Sequence, residues 1–204
     1  MFGVFFGCSE CCLLLSTAYH LLSSHSHHVD QLWHRMDLLG IVIATVGTFI
    51  PGIHYIFVCE PMWQEFHWFI VIVPAISTAA LLCIPAFRSQ RWREVRVATY
   101  IVLAATAFIP LLHGTQLYGL DHMIHYSGMK WYLFELTVYG IGAGLYTFRI
   151  PERFAPGVFD IWLSSHQIFH VSILFAMYLN VLGLKQAFMA SHASDICHIK
   201  ATHG

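Results

Sequence analysis

The chain has 204 residues, 57% of them hydrophobic and only 10% charged, with a net charge of −1 and a mean hydropathy of +0.64. A water-soluble domain carries about 25% charged residues to cover its surface, so this composition excludes one and specifies a protein of the membrane. Near-neutrality, without a basic stripe or an acidic tail, leaves no footprint for a nucleic-acid partner.

A helix that crosses the hydrocarbon needs about 20 mostly apolar residues. Six stretches meet this, at roughly 1–22, 38–58, 67–87, 97–113, 131–148 and 161–184, so the expected fold is an all-α, polytopic transmembrane bundle. The first, "MFGVFFGCSECCLLLSTAYHLL", lacks the basic start and small-residue cleavage site of a signal peptide and reads as a span. Pro51, Pro74 and Pro110 lie inside spans, where neighbouring helices re-satisfy the freed backbone groups. Residues 1–184 form a single transmembrane domain, and 185–204 a polar tail. The six cysteines, Cys8, Cys11, Cys12, Cys59, Cys83 and Cys197, show no paired C-x-x-C layout. They read as small buried hydrophobes rather than metal ligands or disulfide partners.

Six spans send the connectors alternately to two sides. Loops 23–37, 88–96 and 149–160 hold Arg35, Arg88, Arg91, Arg93, Arg96, Arg149 and Arg153, whereas the other side holds only Lys130, Lys185 and Lys200. Seven cations against three make the first side cytoplasmic and the C-terminal tail non-cytoplasmic.

This sidedness brings five polar residues to one depth. His20 ends the first span at the cytoplasmic face, Ser16 stands one turn deeper, Asp37 opens the second span, and His166 and His170 open the sixth. Residues four apart share a helix side, so "SSHQIFHV" offers two imidazoles in one direction. With His20 as third ligand, a tetrahedral zinc retains one open position for water, as in catalytic sites. Zinc lowers the pKa of such a water to about 7. Asp37 is placed to accept its proton or orient it, and Ser16 to steady an imidazole or a substrate oxygen.

Each residue alone has an ordinary reading. His20 can bond a carbonyl, Asp37 can answer a helix dipole, and Ser16 can be a packing residue. "SHSHH" (His25, His27, His28) reads as a solvated turn. His113 and "HMIH" (His122, His125) fall on the opposite face. His54 is expected to make a satisfied polar contact, and Glu10 and Glu135 to face a water-filled cavity or a helix partner.

The residues 142–171, "GAGLYTFRIPERFAPGVFDIWLSSHQIFHV", closely resemble a segment of the adiponectin receptors and their kin, the progestin and adipoQ receptor or haemolysin III-related family. "STAYH" resembles the family's S-x-x-x-H, "HRMDLLGI" its aspartate at the head of the next span, and "GTFIPGIHY" its equivalent stretch. The resemblance covers essentially the whole chain. It implies a seven-helix fold with one zinc near the cytoplasmic face, held at His20, His166 and His170, with Asp37 and Ser16 acting on the zinc-bound water. It also implies ceramide-type amide hydrolysis beside receptor signalling and a role in lipid or zinc homeostasis. The chain starts at what resembles the family's second span, so a fragment lacking the first helix is expected.

Three functions compete at this point. The first is a zinc-dependent hydrolase or hydrolase-like receptor acting on a ceramide-like lipid within the bundle. The second is a non-catalytic receptor for an extracellular ligand, with zinc as a structural staple. The third is a histidine-box di-iron oxygenase, disfavoured because "HMIH" is placed across the membrane from "HQIFH".

Overall fold

The computed structural model describes residues 1–87, 90–159, 161–192 and 197, and every regular element among them is helical. In hydrocarbon a helix satisfies its own backbone, and a lone strand cannot. The helices are α1 (Phe2–Leu22), α2 (His27–Ile56), α3 (Pro61–Cys83), α4 (Arg93–Ala105), α5 (Phe108–His125), α6 (Met129–Phe148) and α7 (Ser165–His192). Five lengths, Phe2–Leu22, His27–Ile56, Pro61–Cys83, Glu94–His125 and Ser165–His192, are long and apolar enough to cross a membrane. The expected all-α polytopic bundle is therefore observed. The fifth expected span, 131–148, is helical as α6, but Lys130, Glu135 and its glycines and tyrosines lower its hydropathy.

Several boundaries move, each for a local reason. The connector expected over 23–37 shrinks to 23–26. Ser26, in extended backbone, accepts a hydrogen bond from the Val29 N–H at 3.4 Å, and Asp30 sits in the first turn against the positive end of the helix. His27 and His28 therefore begin α2 rather than lying in a turn. Pro61 starts α3 at the position where its missing N–H costs nothing. The stretch expected to close at residue 113 continues to His125 through two breaks. The first lies at Thr106 and Ala107, between α4 and α5. The second is at Gly119, whose φ of 80° and ψ of 158° suit glycine almost alone. Residues 161–164 precede α7 instead of opening it, and α7 runs on to His192, into the stretch expected as tail. Of the cations used for sidedness, Arg88 and Lys200 lie outside the described residues, as does the side chain of Arg93.

The chain divides into two compact units, residues 1–120 with Cys197, and residues 121–192. In the first, α1 packs on α2, α2 on α3 and α3 on α4. Its core includes Phe5, Ile53, Ile56, Phe57, Val71 and Leu103, all essentially inaccessible. Leu14, Leu21, Phe69, Ile76 and Ile101 stay exposed, as lipid-facing side chains should. Helices in lipid approach closely where residues are small. A Cβ on Gly47 would stand 2.3 Å from the Cys8 Cβ, and one on Gly40 3.2 Å from the Cys12 Cα. Cys8 and Cys12 thus serve as small packing surfaces, as expected.

Cys59 and Cys197 depart from that expectation: they form a disulfide with sulfurs 2.02 Å apart across 138 residues. No local spacing signals a pair so distant in sequence. Both cysteines nevertheless belong to one side in the topology drawn from the arginines.

In the second unit α6 packs on α7. A Cβ on Gly142 would stand 2.7 Å from the Ser172 Cβ. Glu135, 2% exposed, accepts a hydrogen bond at 2.7 Å from the Asn180 Nδ2 on α7, which gives this intramembrane carboxyl the helix partner expected for it. Glu10 is exposed on α1, and nothing in the structure explains it.

Candidate metal centre

Three of the expected site residues, Ser16, His20 and Asp37, lie on α1 and α2 of the first unit. Ser16 and His20 lie one turn apart on α1, with Ser16 buried and His20 exposed. The antiparallel contacts of Cys8 with Gly47, Cys12 with Gly40, and the Tyr19 ring with the His34 ring at 5.3 Å put Ser16 level with Asp37. Asp37 is half-buried on α2, and the neighbouring Leu38 carbonyl accepts a hydrogen bond from the Tyr100 hydroxyl at 2.7 Å, tying α4 to this level. The Ser16 Oγ is buried and has no hydrogen-bond partner among the described residues. An unmet buried hydroxyl costs about 1–3 kcal/mol, so a polar group besides those described is called for at this depth.

The remaining two are on α7 of the second unit. His166 and His170 are half-buried, and their Nε2 atoms stand 3.1 Å apart, with the rings nearly perpendicular. Two nitrogens sharing a tetrahedral zinc at 2.0–2.1 Å are separated by about 3.3 Å. The pair therefore fits one metal ion almost as it stands. Without a metal, the same separation suits one ring N–H donating to the other nitrogen. The Tyr146 ring lies 5.3 Å from that of His166 and stacks on Phe169, limiting where the first imidazole can swing.

The start of α7 is itself anchored. Glu152, in the "PERF" turn, accepts hydrogen bonds from the Ser165 N–H at 2.7 Å and the Ser165 hydroxyl at 2.8 Å. The carboxylate thereby caps the first turn and answers the helix dipole immediately before His166. Burial alone would raise this carboxyl. The hydrogen bonds from its own backbone and from Ser165, with the nearby Arg149 charge, outweigh that effect and hold it below the ordinary carboxylate range. A carboxyl depressed in the folded state stabilises fully above its unfolded value, and that contribution disappears as pH falls through the folded value. Glu152→Ala is expected to lower the melting temperature by a few degrees at neutral pH. The melting curves of wild type and variant should converge on acidification; a gap that is constant with pH would contradict the cap.

His20, Ser16 and Asp37 thus stand in one unit and His166 with His170 in the other; Asp37, expected to open its span, lies inside α2, which begins at His27. Reading by sequence missed a second polar cluster in the first unit. His67, 1% exposed, pairs its Nε2 with the His113 Nδ1 at 2.8 Å and stacks on Phe57, while the Tyr118 hydroxyl donates to Glu60. His67 is flanked by Phe66 and Trp68, and so carries no spacing signal. His54 meets the Gln64 Oε1 at 2.9 Å, the satisfied contact expected of it. His125 pairs with Asp121 on the exposed face of α5, a contact of little energetic weight.

A family model described as haemolysin-III related matches residues 1–181. The chain is 33% identical over 190 residues to the progestin and adipoQ receptor-like protein 1 of Caenorhabditis elegans, covering 93% of this chain and 44% of that protein. It is 30% identical to the adiponectin receptor protein of Drosophila melanogaster, over 93% of this chain and 43% of that one. With heptahelical transmembrane protein 5 of Arabidopsis thaliana it shares 34% identity over 85% of its own length and 46% of the relative's. The chain spans less than half the length of these three curated relatives.

Proposed function

The chain belongs to the haemolysin-III-related family of the adiponectin receptors, and from that premise we propose that His20, His166 and His170 hold one zinc ion serving hydrolysis of a ceramide-type lipid amide. The observation that carries this reading is the α7 pair, whose two Nε2 atoms lie 3.1 Å apart. His20 joins it because the span count brings the end of α1 and the start of α7 to one side and one depth. A bound zinc supplies an acidified water and a Lewis acid for the amide carbonyl.

The chain's own residues do the rest. Asp37 accepts the proton released as water adds to the carbonyl carbon, and delivers it to the nitrogen as the C–N bond breaks. Ser16, whose buried hydroxyl lacks a partner among the described residues, donates to the substrate oxygen. The products are a fatty acid and a sphingoid amine. The activity places the protein in lipid or zinc homeostasis signalling, with a lipid substrate reached from the membrane.

The zinc site lies near the cytoplasmic face and the C-terminus outside. The arginine count supports this orientation, and so does the Cys59–Cys197 disulfide, since such bonds persist in oxidising compartments. A second reading, a receptor for an extracellular ligand with zinc as a staple, is favoured by the word receptor in the names of two of the relatives.

Purified protein is expected to carry about one zinc per chain and to release fatty acid from ceramide, with chelation abolishing release and added zinc restoring it. Zinc without any amide hydrolysis selects the staple. A chain with no zinc overturns both readings.

A further inference from the structure

The first unit contains a cavity of about 330 Å³ lined by Asp30, Gln31, His34, Arg35 and Leu38 of α2, Leu81 and Leu82 of α3, and Arg96 of α4. Its polar wall and its apolar wall meet where α2 changes character. The first turns, "HHVDQLWHRMD", are polar, and the apolar run begins at Leu38, level with the last turn of α3. That boundary is the depth of a lipid headgroup. The Phe87 and Trp92 rings, edge to face at 4.8 Å in the connection between α3 and α4, form an aromatic pair of the kind found at membrane–water interfaces.

Two guanidinium groups face this cavity against one carboxylate. Arg96 is held in place by donating from Nη1 to the Phe87 carbonyl at 2.6 Å. Arg35 is half-buried and makes no hydrogen bond or ion pair among the described residues. A partly desolvated guanidinium without an acceptor is costly, and its planar fork matches a phosphate or a carboxylate with two parallel hydrogen bonds. Asp30, the opposing charge, stands in the first turn of α2, where the helix dipole already stabilises it. Arg35 thus keeps its charge available for a ligand.

We infer that this cavity binds the phosphate of an anionic lipid headgroup, with Arg35 and Arg96 on the phosphate and Leu38, Leu81 and Leu82 against the start of the acyl chains. The arginine-rich side is the one assigned to the cytoplasm, whose leaflet concentrates anionic lipids, and basic pockets between transmembrane helices there suit such headgroups. The site is separate from the proposed zinc centre and does not depend on it. An occupied headgroup site would brace the polar start of α2, three turns of helix that project beyond the apolar run and lead to Asp37.

The test is lipid binding by the full chain in detergent, followed by native mass spectrometry and thermal melting. Dioctanoyl phosphatidic acid, dioctanoyl phosphatidylcholine and inorganic phosphate are the three probes. Phosphatidic acid should bind and raise the melting temperature, with phosphatidylcholine and inorganic phosphate at least ~10-fold weaker. Arg35→Gln should weaken phosphatidic acid binding ~10-fold, the scale of one charge-assisted pair, while Arg35→Lys should retain part of it. The melting temperature of each variant without lipid identifies any general loss of fold. Phosphatidylcholine binding as well as phosphatidic acid, or a well-folded Arg35→Gln with unchanged affinity, overturns the site. Inorganic phosphate matching phosphatidic acid overturns the lipid as its occupant.

Discussion

Replacing His166 and His170 together by alanine should bring bound zinc from about one per chain to background, as read by elemental analysis of purified protein. Each substitution removes one imidazole nitrogen, and His20 alone offers a single ligand with no chelate partner. Losing even a residue that orients a ligand costs 10–100-fold in affinity, so losing two ligands should cost well over ~100-fold. The surrounding helix should survive, because both side chains are only half-buried and the cap from Glu152 to Ser165 remains. Helicity by circular dichroism is therefore the control. A well-folded double variant that retains zinc at full stoichiometry would place the metal elsewhere and refute the α7 pair.

Asp37→Asn should do the opposite: leave zinc in place and stop the chemistry. The amide has the same shape as the carboxylate, and Asp37 is not among the proposed ligands, so metal content and melting temperature should change little. What asparagine cannot do is accept a proton at neutral pH. General-base catalysis contributes ~10²–10⁴-fold, and ceramide turnover should fall by that factor. Ser16, level with Asp37 on the facing helix, provides a comparison, since Ser16→Ala removes a donor but no base and should slow turnover less. Undiminished hydrolysis in Asp37→Asn would remove this residue from the mechanism, and turnover already absent in the wild type would leave zinc as a staple.

Much of the fold is legible in the sequence alone, and the reason is the solvent. In hydrocarbon an apolar run of sufficient length becomes a helix almost regardless of its neighbours, so α1, α3 and α7 appear where hydropathy put them. The helix ends were less legible because they lie in water, where local chemistry takes over. Ser26 and Asp30 extend α2 outward through His27 and His28, and α5 runs on past residue 113 to His125, broken at Gly119. The spacing of His166 and His170 was readable because both lie on one helix, where four residues make about one turn. His67 with His113, Glu60 with Tyr118 and Cys59 with Cys197 were not, because each pair joins elements far apart in the chain.

The sequence by itself determined the membrane solvent and the helical class, and it singled out His20, Ser16, Asp37, His166 and His170 as candidates and one side of the connectors as arginine-rich. These follow from composition, periodicity and charge count, which need no knowledge of what packs on what. Only the tertiary structure decided that Gly40 and Gly47 press α2 onto the cysteines of α1, that Ser16 keeps an unpartnered hydroxyl level with Asp37, and that Glu152 caps the helix bearing the two imidazoles. It also decided that Arg35 faces a cavity with no acceptor among the described residues. Such facts depend on distances between residues distant in sequence, and packing sets those distances.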